Sequence, residues 1–358
     1  MPKIIFTGGG SAGHVTVNLS LIPCFRQEGW SVEYIGSENG IEKELITALG
    51  DVPYSGISTG KLRRYFSWQN LKDPFRAGRG VLQAYSLIRR SKPDVLFSKG
   101  GFVSVPVVIG AWLNRVPVVI HESDVTPGLA NRLAIPLAQT VCTTFPETNS
   151  HLPAGKAHYV GPLVRPDLKE GKAERGRSFC GFNRVKPVLL IMGGSLGSHK
   201  INETVRSCLP ELLARFQVVH LCGKGQGKPA PSAPAEGYRP FDYLKEELAD
   251  VLAMTDVVVT RAGANVLFEM RALKKPMLLI PLSKEQSRGD QLLNAASFRA
   301  SGYAEVLQEE NLTPEALVRE VTKLYENRTK FKLRMAEGDN GDALRTLVAI
   351  IHETAGVS

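Results

Sequence analysis

Two stretches of this chain share one design: an apolar run, a turn of glycine and serine, then a helical pattern. The first is "KIIFTGGGSAGHVTVNLSLI" and the second "KPVLLIMGGSLGSHKINETV". A glycine turn between a buried strand and a helix opens a doubly wound α/β unit, and two openings in 358 residues call for two such units. Strands are predicted at "SVEYIG", "DVLFSKG", "PVVIHE" and "VCTTF" after the first opening, and at "QVVHLCG", "VVVTRAG" and "PMLLIPL" after the second. Helical patterns separate them, as in parallel sheets covered by helices. The proline and glycine of "VGPLVRPDLKEG" place a linker near residues 162–168. The expected domains are therefore 1–164 and 165–340, with the amphipathic last helix, 341–358, packing back on the first.

A hydrophobic fraction of 43 % and a charged fraction of 22 % set disordered and fibrous classes aside. The longest apolar run, "VSVPVVIGAWL", has 11 residues, where a bilayer span needs roughly 20. No cationic segment followed by a long apolar one stands at the start, so retention in the cytoplasm is expected. Five cysteines lie scattered without C-x-x-C spacing, as small reduced hydrophobes rather than a disulfide frame or a metal site. No Asp-x-Asp pair is present to hold a divalent ion. The net charge of +9 favours an anionic partner.

Gly8, Gly10 and Gly13 fit G-x-G-x-x-G. Such a loop offers backbone amides and the positive end of a helix dipole to an anion. A nicotinamide pyrophosphate with Glu38 beyond the next strand, another phosphate, and a tight turn without ligand all suit the spacing. His14 suits a base of near-neutral pKa or a polar helix-start residue. In the second loop Ser195 and its neighbouring amides suit a phosphate. Glu269, six residues after Gly263 in "TRAGANVLFEM", can accept ribose hydroxyls or complement a helix dipole. Asp290 and Gln291 can read sugar oxygens or cap a helix. Trp68, Leu71 and Phe75 among Arg76 and Arg79 suit anionic lipid, nucleic acid or a half-buried helix.

In order along the chain, "TGGGSAGHV", "HESDVTPGLAN", "GPLVR", "GGSLGSHKIN", "TRAGANVLFE" and "RGDQLLNA" resemble the MurG family, the undecaprenyl-diphospho-muramoylpentapeptide β-N-acetylglucosaminyltransferases, over nearly the whole length. The resemblance implies the GT-B fold, with two doubly wound Rossmann-like α/β domains facing a cleft. It implies inverting transfer of N-acetylglucosamine from UDP-N-acetylglucosamine to the muramoyl 4-hydroxyl of lipid I, giving lipid II for peptidoglycan, with no metal or other cofactor. The alternative is another GT-B nucleotide-sugar transferase with a different acceptor.

By motif, His14 becomes the first candidate base and Glu122, beside His121, the second. Gly10, Ser11, Gly13 and His14 are implied to face the acceptor diphosphate. The donor is implied to meet Ser11, Ala12, Gly13, Asp124, Arg165, Ser195, Leu244, Asp290 and Gln291, together with Ala264, Asn265, Val266, Leu267, Phe268 and Glu269 around the nucleotide. Asp124 stands where many members carry Asn, exchanging a neutral amide for a charged acceptor, and Val17 replaces a frequent Pro. Trp68, Leu71, Phe75, Arg76 and Arg79 are implied to dock on anionic phospholipid at the cytoplasmic face of the cell membrane. The implied partners are UDP-N-acetylglucosamine, polyprenyl-linked lipid I and that lipid surface, with room for other cell-wall synthesis proteins and no nucleic acid.

Overall fold

The computed structural model describes residues 1–60, 73–194, 197–227, 236–284, 287–337 and 341–357. The chain forms two compact units, Met1–Leu163 with Gly341–Ser358, and Val164–Asn340.

The first unit holds a seven-stranded parallel sheet of β1 (Lys3–Thr7), β2 (Ser31–Ser37), β3 (Tyr54–Ile57), β4 (Val95–Ser98), β5 (Val118–Glu122), β6 (Thr140–Thr143) and β7 (Ala157–Tyr159). Its order is β3-β2-β1-β4-β5-β6-β7. Ile4 pairs with Val32 on one side and Val95 on the other, and Phe6 with Tyr34 and Phe97. Successive side chains of a strand point to opposite faces, and the core divides accordingly. Ile4, Phe6, Val95 and Phe97 pack with Leu21, Phe25, Trp30, Leu347 and Ile351. Ile5, Leu96, Val118 and Ile120 pack with Ala84, Ile88, Val107 and Ala111. Helices Thr16–Gln27 and Ala343–Ala355 thus cover one face, and Asp73–Ser91 and Ser104–Leu113 the other. With both faces covered, the inner strands must be apolar throughout, which is why they stand out in the sequence.

In the second unit β8 (Val188–Met192), β9 (Gln217–Leu221), β10 (Tyr238–Phe241), β11 (Val257–Thr260), β12 (Met277–Leu279) and β13 (Ala304–Val306) form a six-stranded parallel sheet. The order is β10-β9-β8-β11-β12-β13. In both sheets the first strand is central and the order reverses beside it, between β1 and β4 and between β8 and β11. Ligands of doubly wound sheets sit beyond the carboxyl ends of the strands at such reversals. Both glycine loops emerge there.

Candidate functional site

In the first unit two glycine turns meet at the reversal. Gly9 N–H donates to Gly100 O at 3.2 Å, and a Cβ on Gly101, whose φ is +87°, would stand 2.1 Å from Gly9 O. No larger residue fits that contact. Asn18 Nδ2 donates to Thr7 O at 3.2 Å and to the Tyr34 hydroxyl at 3.0 Å, and that hydroxyl donates to Gly8 O at 2.6 Å. The loop is therefore held from below before it turns through the single 3-10 turn Ala12–His14 into helix Thr16–Gln27. Ser11 is exposed, and Gly13 and His14 are half-buried.

Glu42, fully buried, was not singled out by the sequence. Its Oε2 accepts from Gly10 N–H at 3.2 Å, while Oε1 accepts from Ser37 N–H at 3.0 Å and from the Ser37 hydroxyl. The Gly10 amide, expected at the acceptor diphosphate, is donated to this carboxylate.

Glu122 ends β5 with both carboxylate oxygens engaged. Oε1 accepts from Ser123 N–H at 2.8 Å and Asp124 N–H at 3.0 Å, and Oε2 from Gly128 N–H at 3.0 Å and Asn131 Nδ2 at 2.8 Å. Four donors on one buried carboxylate make it the organiser of the turn after β5. His121 is 1 % exposed. Burial first, and the charge of Lys99 second, hold its pKa well below the ordinary histidine value, so it stays neutral at physiological pH. Asp124 is half-buried, and its carbonyl accepts from Thr148 Oγ1 at 3.0 Å.

At the reversal of the second sheet lies a cavity of about 510 Å3 lined by Gly193, Gly194, Gly197, Ser198, His199, Lys200, Arg261, Leu282, Gln291 and Glu309. Gly197, at φ +77°, leaves no room for a Cβ, which would stand 2.0 Å from Cys222 O. Ser198 caps helix His199–Ser207, its Oγ accepting from Ile201 N–H at 3.4 Å. The cavity thus opens on a helix N-terminus, a setting that favours an anion. Arg261, which the sequence offered only as part of a motif, fastens the cavity's back wall. It donates through Nη1 to Ile280 O at 3.1 Å and Pro281 O at 3.4 Å, and through Nη2 to Ser198 Oγ at 2.7 Å and to Glu309. Gln291 is held with its Oε1 accepting from Leu282 N–H at 3.1 Å, beside half-buried Asp290 at the start of helix Asp290–Ala300.

Helix Ala264–Ala272 narrows the expected nucleotide surface. Residues three and four apart share a face of a helix. Leu267 and Phe268 are buried, with Phe268 edge-on to Phe298 at 5.1 Å, and Ala264 lies on the same inner face. The side chains of these three residues, expected around the nucleotide, are core. Asn265, Val266 and Glu269 occupy the more open face. Glu269 Oε1 accepts from Arg165 Nε at 2.9 Å, so two donor-side expectations 104 positions apart are joined as an ion pair. Leu244 is half-buried beside exposed Tyr243 and outside the lining of the cavity. Ser195, Trp68 and Leu71 lie outside the described residues. Among the described residues no three His, Cys, Asp or Glu side chains gather to hold a metal ion.

The two units coincide with two known sequence families. Residues 4–143 match the glycosyltransferase family 28 N-terminal domain, and residues 188–348 the glycosyltransferase family 28 C-terminal domain. The chain is 58 % identical over 353 residues, covering 99 % of both chains, to the UDP-N-acetylglucosamine--N-acetylmuramyl-(pentapeptide) pyrophosphoryl-undecaprenol N-acetylglucosamine transferase of Geobacillus thermodenitrificans. The enzyme of the same name from Geobacillus kaustophilus is 58 % identical over the same share. Among solved structures, Acinetobacter baumannii MurG matches with a TM-score of 0.76 at 25 % identity, over 99 % of this chain and 100 % of that one. Through both of its Rossmann-like units, this chain belongs to glycosyltransferase family 28 and has the GT-B fold.

Proposed function

We propose that this protein transfers N-acetylglucosamine from UDP-N-acetylglucosamine to the 4-hydroxyl of the muramoyl sugar of lipid I, with inversion, giving lipid II for peptidoglycan. The observation that carries this reading is 58 % identity across 99 % of the chain with a relative bearing that activity in its name. The geometry supports it from two sides. The second unit offers the donor diphosphate a glycine-lined cavity at a helix N-terminus and offers the sugar Asp290 and Gln291. The first unit presents Ser11, Gly13 and His14 to the acceptor.

In the proposed reaction His14 takes the proton of the attacking hydroxyl while the bond to the anomeric carbon forms and UDP leaves. Loop amides and the helix dipole stabilise the charge growing on the departing diphosphate. Glu122 acts by shaping the turn that carries Asp124, with every acceptor site we can name already filled by a donor. The direct test is UDP release from UDP-N-acetylglucosamine with and without a lipid I analogue. Release that requires the analogue supports the reading; release with another acceptor class alone rejects it.

Glu269, oriented by Arg165, accepts the ribose hydroxyls in this scheme. Glu269→Gln is expected to raise KM for UDP-N-acetylglucosamine roughly 10- to 100-fold, the scale of a lost hydrogen bond to a charged group. An unchanged KM would take Glu269 off the ribose.

The membrane reading rests on helix Asp73–Ser91. Phe75 is 82 % exposed and Leu82 71 % exposed, and with exposed Arg79 they follow one stripe of the helix at spacings of four and three. Among the described residues no helix is long and apolar enough to cross a membrane, and in this proposal the stripe binds peripherally, at the cytoplasmic face. Phe75→Ser is expected to weaken partition onto anionic vesicles about tenfold or more, the scale of one lost aromatic anchor, while sparing turnover of a soluble acceptor. Equal vesicle binding by the variant would move docking to another surface.

A further inference from the structure

The cavity of the second unit is walled by glycine backbone and by basic side chains that already hold protein acceptors. Arg261 has four N–H groups on its two terminal nitrogens, and four acceptors meet them: Ile280 O, Pro281 O, Ser198 Oγ and Glu309 Oε1. Lys200 Nζ donates to the Glu309 carbonyl, and His199 Nδ1 lies 3.1 Å from Glu203 Oε2. Arg261 is 6 % exposed and Glu309 2 %, so the guanidinium sits out of water beside a countercharge. Turning it toward a ligand would strand a buried carboxylate, which costs more than one new hydrogen bond returns. Arg261 is therefore a fixed part of the wall.

One of the groups it fixes is Ser198. This residue is 7 % exposed and carries the one side-chain hydroxyl in the cavity lining among the described residues. A serine oxygen has two lone pairs and one hydrogen. Both lone pairs are filled, one by Ile201 N–H at 3.4 Å and the other by Arg261 Nη2 at 2.7 Å. With these two directions and the bond to Cβ taken, the hydrogen has one direction left, and it meets no acceptor among the described residues. A hydroxyl that accepts from a guanidinium is also a stronger donor than an isolated one. Helix His199–Ser207 starts at the next residue, and its dipole adds to the attraction for an anion.

We propose that Ser198 is a diphosphate ligand as well as a helix cap: with both lone pairs filled, its hydroxyl donates the remaining hydrogen to a phosphate oxygen in the cavity. The inference rests on the reading of this cavity as the seat of the donor's diphosphate. It gives the Arg261–Glu309 pair a task as well, since the pair aims the serine and strengthens its O–H without touching the ligand.

The test is calorimetric titration of the full chain with UDP and with uridine, which differ only in the diphosphate. The quantity read is the gain in affinity from uridine to UDP. Ser198→Ala is expected to lose roughly 10- to 100-fold of that gain, the scale of one hydrogen bond to a charged group, with uridine binding unchanged. Ser198→Gly separates the ligand role from the cap, because glycine caps a helix nearly as well as serine but has no hydroxyl. Its loss of affinity is expected to equal that of Ser198→Ala, while its melting temperature stays nearer the wild type. A full gain in Ser198→Ala, or a gain recovered in Ser198→Gly, overturns the inference, since binding would then follow the cap and not the hydroxyl. If Ser198→Ala does not fold, Ser198→Gly decides alone by the same criterion. A wild-type chain that binds UDP no more tightly than uridine overturns the reading of the cavity itself, an outcome distinct from a wild-type gain that the variants keep.

Discussion

His14→Ala is expected to bind UDP-N-acetylglucosamine as tightly as the wild type and to turn over roughly a hundred- to ten-thousandfold more slowly, the range general-base catalysis contributes. The split between binding and turnover follows from where the groups lie. The proposed donor contacts at Gly193, Gly194, Gly197, Ser198, Glu269 and Gln291 belong to the second unit, whereas His14 closes a 3-10 turn in the loop after β1. A sugar hydroxyl is a poor nucleophile until its proton is removed, and imidazole is the side chain whose ordinary pKa suits that task at neutral pH. Calorimetric titration with the donor, beside steady-state rates with a lipid I analogue, checks both halves. A loss smaller than tenfold would remove His14 as the base.

Replacing Glu122 has the largest expected effect on stability. Glu122→Ala removes one acceptor from four buried donors, and losing one side of a buried charged network costs about 3–5 kcal/mol. Against a typical total of about 5–15 kcal/mol this is a large share. Glu122→Gln is nearly as damaging for a geometric reason. Whichever way the amide turns, its NH2 meets two N–H groups, either those of Ser123 and Asp124 or those of Gly128 and Asn131. Both variants should therefore melt earlier and lose activity, while the folded fraction keeps the wild-type shape of its pH–rate profile. A Glu122→Gln protein of normal stability that lost a limb of the profile would make Glu122 the base after all.

The inner strands of both sheets were legible in the sequence, and the outer ones were not. β3, β7, β10 and β13 are the four edge strands, three or four residues long, and their burial patterns are broken by exposed or half-exposed positions. An edge strand is covered on fewer sides and needs no continuous apolar run, so it leaves no such run to read.

The candidate site divides in a similar way. Glycine turns and helix starts announce themselves by residue type, so the loops at Gly8 and Gly193 were found. Glu42 and Glu309 could not be, because each is an acidic residue in a polar stretch whose meaning depends on a partner 32 or 48 positions away. At Leu267 and Phe268 the helical period sends the side chains of the motif inward.

The chain leaves the first unit at Leu163 and re-enters it at Gly341. Leu347 and Ile351 of the returning helix are fully buried against Phe25 and Trp30, and the His352 ring stacks on Phe25 at 5.5 Å with Nε2 2.7 Å from Glu28 Oε2. During translation the first 163 residues therefore emerge with one face of their sheet incompletely covered. The missing helix arrives only after residues 164–340 have been made, a wait of roughly 9–35 s at about 5–20 residues per second. Over that interval Phe25 and Trp30 lack the helix that later packs on them, and the second unit is the first to be complete.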